Sequence, residues 1–211
     1  KEIGFLQHSA AVKTLAERGT LSELHYQFRQ AYGEDVGLCV ALKNAAGLIE
    51  IPYYCAGGGE MLDIPAYTAE NDLVAQIIES GESQTFENAA NLNRFAIHSS
   101  EFQLSARAWL GIPLRANDQT IGAIALFTSE SEQAFPQGSQ TVLELIANRF
   151  SNALTAQQLE SNWKSAEQAY QSEKFLLDSL LDVLPDQVSV KDGRNVFQRL
   201  SKSLSHFLGK S

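Results

Sequence analysis

Cysteine is scarce in this 211-residue chain, with Cys39 and Cys55 its only two. They form no CxxC pair, and two thiols in a chain of this length do not suggest a disulfide scaffold, so a reducing cytoplasm is the default compartment. Long apolar runs are missing as well. The longest, such as Ile121 to Phe127, fall far short of the roughly 20 residues that a membrane-spanning helix needs. The segment is therefore expected to make no membrane contact, although a parent protein could be anchored elsewhere. No charged start with an apolar stretch and a small-residue cleavage site is visible, and the chain begins at Lys1 rather than Met, as a segment excised from a longer protein would. Positive charge is also short. Sixteen Lys and Arg stand against 25 Asp and Glu, for a net charge of −9, and no basic patch offsets it, which argues against nucleic acid as a partner. Catalytic patterns are equally thin: no Ser, His, Asp order, no clustered carboxylates and no paired histidine ligands stand out, so no intrinsic enzyme and no metal site are expected.

What is present is a globular composition, 44% hydrophobic and 19% charged, long enough for one domain with added elements. Apolar residues Ile3, Leu6, Ala10 and Leu15 recur at helical spacing before Gly19, which predicts a helix over 2–18. Thr20, Leu21, Ser22 and Glu23 match a capping box. A second helix should follow, burying Leu21, Leu24, Phe28 and Tyr32 and stopping at Gly33. Short β-favouring runs, Val36 to Leu42 and Leu48 to Cys55, then read as a hairpin around Lys43 to Gly47. Gly57, Gly58 and Gly59 open an irregular segment; with no helix directly after them and no lysine, they predict a flexible turn rather than a phosphate cradle. A helix is expected from Thr68, with Leu73, Val74, Ile77 and Ile78 as its apolar face and Gly81 as its stop. Residues 82–106 suggest short elements and loops. Two strong strands come next, Ala108 to Arg115 and Thr120 to Ser129, joined at Asn117 and Asp118.

A helix beginning near Ser139 should pack Val142, Leu143, Ile146, Phe150 and Leu154 on one side. No breaker follows until Pro185. From Leu159 the residues Trp163, Ala166, Tyr170, Glu173, Leu177, Leu180 and Leu184 alternate in steps of four and three, the repeat of a coiled-coil seam. Residues 159–184 would extend about 39 Å as a helix, further than a domain of this size can cover, so part of the stripe calls for a partner helix. The predicted dimer seam is Leu159, Trp163, Ala166, Tyr170, Leu177 and Leu180. Ala166 and Glu173 make its middle weak, which in a signalling rod leaves two packings close in energy.

The order helix, hairpin, helix, irregular crossover, hairpin, long helix, together with SARAWLGIPLRANDQTIGAIALF over 105–127 and Leu143, Glu144, Leu145, Ile146, Ala147 on the closing helix, resembles the GAF domain of bacterial and eukaryotic sensors. The resemblance covers roughly residues 20–158. It implies an α+β fold, a central antiparallel sheet with helices on both sides, flanked by an N-terminal helix and a long C-terminal signalling helix. The first and last helices of such a domain share one face, and a ligand-accessible cavity lies beneath the crossover on the other. Family members bind cyclic nucleotides, linear tetrapyrroles, haem or other small metabolites and report through helices continuous with the domain. Residues 177–209 resemble the opening of a PAS domain, with strands at Val188 to Lys191 and Val196 to Leu200 and a helix at Ser203 to Leu208. GAF followed by PAS is common in sensor histidine kinases of two-component systems and in cyclic-dinucleotide enzymes. The organisation that follows is an N-terminal helix over 1–19, a GAF domain over 20–158, a linker helix over 159–184 and an incomplete PAS start over 185–211.

Candidate ligand-binding residues are Tyr53, Arg94, Phe95, His98, Phe102 and Trp109, because aromatics with a few polar groups make a small-molecule pocket. Strand alternation sends Tyr53 and Tyr54 to opposite faces, so at most one of them meets the ligand. Arg94 offers two parallel donors to an anion, and equally has Glu101 as a neighbour in sequence. The cofactor is unknown. Bilin-attaching members place a cysteine beside the histidine, whereas Ser99 and Ser100 follow His98 here, so covalent bilin attachment is not expected. The cyclic-nucleotide pattern of the family is also missing from residues 88–102. Two functions remain open: a sensor that binds a small molecule and signals through a homodimerising helix, or a ligand-free dimerisation scaffold. A redox enzyme using Cys39 or Cys55 is a third, opposed by the placing of Cys39 within an apolar strand, where burial raises a thiol pKa.

Overall fold

The computed structural model describes residues 12–14, 19–68, 72–86, 95–98, 103–116, 118–129, 135–183, 186 and 188–209. They fall into two compact units, Lys1–Gln158 and Leu159–Ser211. In the first unit, helix α1 (Thr20–Tyr32) precedes the strands β1 (Val36–Lys43), β2 (Ile49–Cys55) and β3 (Ile64–Tyr67). Helix α2 (Leu73–Ser80) is followed by the short strands β4 (Gln84–Phe86), β5 (Phe95–His98) and β6 (Gln103–Ser105), and then by the long pair β7 (Ala108–Ala116) and β8 (Gln119–Thr128). Helix α3 (Ser139–Val183) closes the unit and continues into the second.

Six strands form one antiparallel sheet in the order β3-β2-β1-β8-β7-β4, while β5 and β6 pair separately. Its central strands are buried on both faces, which is why they read as unbroken apolar runs rather than alternating ones. Alternation still sorts them into two cores. Val36, Leu38, Val40 and Leu42 of β1 meet Leu21 and Phe28 of α1 and Leu143, Ala147 and Leu154 of α3. Cys39 and Ala41 meet the α2 residues Leu73, Val74, Ile77 and Ile78 on the other side. The first and last helices thus share one face, as the GAF-like reading expects.

Local chemistry sets the boundaries. Asn44 organises the β1–β2 turn by accepting the Leu48 N–H on its side-chain oxygen at 3.0 Å. Pro52, which has no N–H for a ladder, lies in β2 beside a bulge where the register shifts between Val40 and Leu42. Gly33 and Gly81 end α1 and α2 with positive φ, as predicted, each N–H returning to the carbonyl four residues back. Gly122 of β8 has the partner backbone against it: a Cβ there would stand 2.1 Å from the Ala41 carbonyl oxygen.

Three expectations need correction. Helix α1 already includes Thr20 and is capped by Gly19 at φ 77, so the Thr20 to Glu23 capping box is not formed; the Glu23 N–H donates instead to the Gly19 carbonyl at 2.9 Å. Helix α2 begins at Leu73 rather than near Thr68, because Asp72 takes the N-cap. The segment after the three glycines, expected to be irregular, carries strand β3. Of the predicted helix 2–18, only residues 12–14 are described, and they are helical with Val12 fully buried.

The second unit holds the rest of α3, the hairpin β9 (Ser189–Lys191) and β10 (Phe197–Leu200), and helix α4 (Lys202–Phe207). Asp192 shapes the hairpin turn by accepting N–H bonds from Arg194 and Val196 at 2.9 and 3.0 Å. Ser201 caps α4 through the Leu204 N–H and donates its hydroxyl to the Asp186 carbonyl. An ion pair of 2.7 Å joins Arg199 of β10 to Asp178 of α3.

On α1, His25 is buried, with Nε2 2.7 Å from the Val36 carbonyl oxygen. Burial holds its pKa below the ordinary value, the Val36 hydrogen bond partly opposing and Arg29 adding to the shift. A histidine whose folded pKa is depressed contributes stability that is present above about pH 6.5 and lost as pH falls. Urea midpoints at pH 7.5 and 5.5 should therefore drop more for the unaltered chain than for His25→Gln, whose amide can still donate to Val36.

Candidate functional site

The face of the sheet covered by α2 carries a row of three aromatic rings. Tyr54 of β2 lies 5.1 Å from Phe127 of β8, and Trp109 of β7 lies 6.3 Å from Phe127 on its other side. Small residues make room for them: Ala123 and Ala125 of β8 share this core, and Gly111 follows Trp109 on the same strand face. A Cβ on Gly111 would meet the Ile77 Cδ1 at 2.2 Å and the Trp109 Nε1 at 2.6 Å, so glycine here lets α2 and the indole approach the sheet together.

Asp72 sits at the edge of this core with no exposed surface. One carboxylate oxygen accepts the Ala75 N–H at 2.5 Å, capping α2, and the other accepts the His98 N–H of β5 at 3.2 Å. A single side chain therefore ties α2 to the segment that leads into β7. Burial pushes its carboxyl pKa up, against the lowering effect of the two backbone bonds and of neighbouring Tyr67 and His98. The Tyr67 hydroxyl is buried close to this carboxyl, and burial followed by the Asp72 charge drives its own pKa upward.

One buried polar atom of this face, the Trp109 Nε1, lacks a hydrogen-bond partner among the described residues, while the buried Tyr67 hydroxyl has the Asp72 carboxyl as its polar neighbour. Such atoms are uncommon in folded proteins and need a reason. The four groups offer two donors (the Trp109 N–H and the Tyr67 O–H), a carboxyl of raised pKa and an imidazole. His98 stacks on Phe95 at 4.7 Å and has Gln103 Nε2 3.4 Å from its own Nε2.

Of the residues singled out in the sequence, Phe95, His98 and Trp109 belong to elements on this face. Tyr53 does not join them. Alternation along β2 turns it into the opposite core with α1 and α3, so the tyrosine of the pair on the α2 face is Tyr54. Arg94 and Phe102 lie outside the described residues. Sequence reading missed Asp72 and Tyr67. A cap signal for Asp72 was available, since Leu73, Val74, Ile77 and Ile78 begin directly after it. Two grooves lie elsewhere: one of about 460 Å3 among Gly81, Ser83, Ile112, Arg115 and Glu144, and one of about 310 Å3 beside Glu50, Ile51 and Asp63. In the larger, the Arg115 guanidinium donates to the Gly81 carbonyl, and Glu144 accepts from Gln140 at 2.9 Å.

The profile of the GAF domain matches residues 14–155, most of the chain. The chain belongs to the GAF family. GAF domains are regulatory and sensory modules that bind small molecules. No curated protein sequence matches the chain. Among solved structures, the GAF-B domain of DevS from Mycobacterium smegmatis is similar at 16% identity and a TM-score of 0.50, covering 75% of this chain and 98% of that one. A type II free methionine-R-sulfoxide reductase from Thermoplasma acidophilum is similar at 16% identity and a TM-score of 0.51, covering 68% and 94%. At these identities the likeness shows the fold alone.

The two thiols of this GAF domain are set apart from each other. Cys39 belongs to the α2-side core and Cys55 to the opposite one, so the sheet separates their sulfurs. Burial raises both pKa values, with Asp72 adding to the effect at Cys39 and Tyr53 partly opposing it at Cys55. Both should resist a thiol reagent in native buffer and react in denaturant. Asp72→Ala strands two backbone N–H groups and should lower the unfolding free energy by about 2 kcal/mol or more. Asp72→Asn should cost less, because its amide oxygen can still cap Ala75 while its NH2 group opposes the His98 N–H. Urea denaturation of the three chains measures the order.

Proposed function

We propose that this GAF domain senses a small molecule on the α2 face of its sheet and signals through α3, within a multidomain signalling protein such as a sensor histidine kinase. The observation that carries the reading is the buried, unpartnered Trp109 Nε1, in the core that it shares with Tyr67, whose hydroxyl lies close to the buried Asp72. A ligand with an acceptor for the indole N–H would relieve it. Asp72 supports a route outward, since it joins α2 to β5, and a ligand that draws on its carboxyl competes with those two backbone bonds. The domain is proposed to lack enzymatic activity, in keeping with its buried, raised thiols.

The dimerising role is supported by α3 itself. Leu159, Trp163, Tyr170, Leu177 and Leu180 are all exposed, with Trp163 at 72%, and Ala166 shares their stripe. That much apolar surface on one helix marks an interaction site. The hairpin and helix after it are read as the start of a PAS domain, supported by the exposed Val190, Val196, Phe197 and Phe207, which await an apolar cover. A ligand-free scaffold is the second reading, favoured by the ring stack of Tyr54, Phe127 and Trp109, which fills the centre of the same face. Native mass spectrometry of freshly purified protein separates the two. The sensor reading expects a dimer with a bound small molecule that leaves on Trp109→Phe substitution. A dimer that carries no added mass, and whose tryptophan emission ignores a metabolite library, would favour the scaffold.

A further inference from the structure

Strand β4 covers only part of the outer edge of β7. Its residues pair with Trp109, Leu110 and Gly111, and beyond Gly111 no strand among the described residues lies beside that edge. Pro113 stands there. Within a sheet, proline is confined to positions where its missing N–H would face outward, so a further strand would find no donor and the edge stays open. The open edge is the floor of the groove of about 460 Å3. Its walls are the segment 81–83 that follows α2 and the first turns of α3 at Gln140, Glu144 and Asn148. Small-molecule sites occupy roughly 300 to 1,000 Å3, and the groove falls in that range. All of it belongs to the first unit. Ile112 of its floor is part of the core shared with α1 and α3, so the groove is distinct from the ring row on the α2 face.

Two opposite charges line this groove without meeting. Arg115 comes from β7 and Glu144 from α3, and no ion pair joins them among the described residues. The Arg115 guanidinium gives one of its N–H donors to the Gly81 carbonyl and keeps the others. Glu144 accepts from Gln140 at 2.9 Å and from the Ser83 hydroxyl at 3.5 Å, both on Oε1, which leaves Oε2 open to another donor. These charges select the occupant. An anion on Arg115 would share the groove with Glu82 and Glu144, and a cation on Glu144 would share it with Arg115. A molecule that carries both signs satisfies both walls.

We propose that this groove is a second ligand site of the domain, one that takes a small zwitterion with the charges of a free amino acid. The ligand's carboxylate lies on the guanidinium fork of Arg115 and its ammonium on the Glu144 carboxylate, with Pro113 beneath its carbon skeleton. The same two side chains hold the segment that leaves α2, Arg115 through the Gly81 carbonyl and Glu144 through Ser83. A ligand that recruits both charges competes with both bonds, and so loosens the link between the helix over the ring row and the closing helix α3. The site stands apart from sensing on the α2 face, and either can fail without the other.

Isothermal titration of the full chain with the standard free amino acids, and with the N-acetyl and methyl ester forms of any that binds, reads the charge requirement. At least one free amino acid should bind, one per chain, and blocking either of its charged ends should weaken it at least about tenfold. Arg115→Gln and Glu144→Gln should each weaken it by a similar factor. Glu144→Gln keeps its size and an oxygen for Gln140, so its urea midpoint checks that the fold is intact. In proton–nitrogen correlation spectra the ligand should move the Arg115 Nε–H and the Asn148 side-chain amide and leave the Trp109 indole N–H in place. The proposal is overturned if no free amino acid binds, if N-acetylation is tolerated, or if binding survives both substitutions. A ligand that moves only the Trp109 indole signal sits on the α2 face, which overturns the groove site and leaves the sensor reading standing. Binding in the groove of a chain whose α2 face takes no ligand does the reverse.

Discussion

Three neighbouring strands, β1, β8 and β7, are covered on both faces, and much of the remaining architecture answers that demand. A sheet buried twice over needs helices on each side, and it obtains α1 and α3 on one and α2 on the other. It also needs its own side chains to differ in size between faces. Leucine, isoleucine and valine dominate toward α1 and α3, whereas alanine and glycine on the α2 side leave the room that Tyr54, Trp109 and Phe127 occupy. The ring stack is thus bought by small neighbours, and enlarging one of them displaces a ring or the helix.

That constraint explains which elements could be read from the sequence. β1, β7 and β8 are long, apolar on both faces and bounded by turn residues, so propensity and burial agree, and the predicted bounds fall within a residue or two of those found. The start of α3 at Ser139 was equally plain, with Pro136 and Gly138 ahead of a periodic apolar face. β3 was not. It is four residues long, contains Pro65 and lies at the sheet edge, and the pairing that makes it a strand comes from β2, far from any local signal. Thr20 likewise satisfied a local cap pattern that the chain does not use, because Gly19 in a left-handed conformation already turns the backbone into the helix.

The site was less legible than the fold for a related reason. Trp109, Phe95 and His98 stand out as candidates because aromatic and imidazole groups announce themselves, whereas Asp72 stands in a run of polar residues where several could cap a helix. What selects Asp72 is its second bond, to the His98 N–H 26 residues away, and no local pattern encodes that. Tyr67 went unnoticed with its strand. Tyr53 and Tyr54 show the converse limit: alternation says that they part, but which one joins Trp109 depends on the register of β2 against β1, where the bulge beside Pro52 intervenes.

Helix α3 carries both core contacts and an exposed apolar stripe. Its inward residues Leu143, Ala147 and Leu154 are locked into the core shared with α1, so the helix cannot shift without disturbing the sheet beneath it. Its outward stripe is interrupted by Ala166 and Glu173, where a static tether would carry leucine throughout. In the proposed dimer those interruptions weaken the middle of the seam. A seam weak at its middle has discrete alternatives a small free energy apart, and such an interface can be biased by a ligand that binds with only a modest preference for one packing.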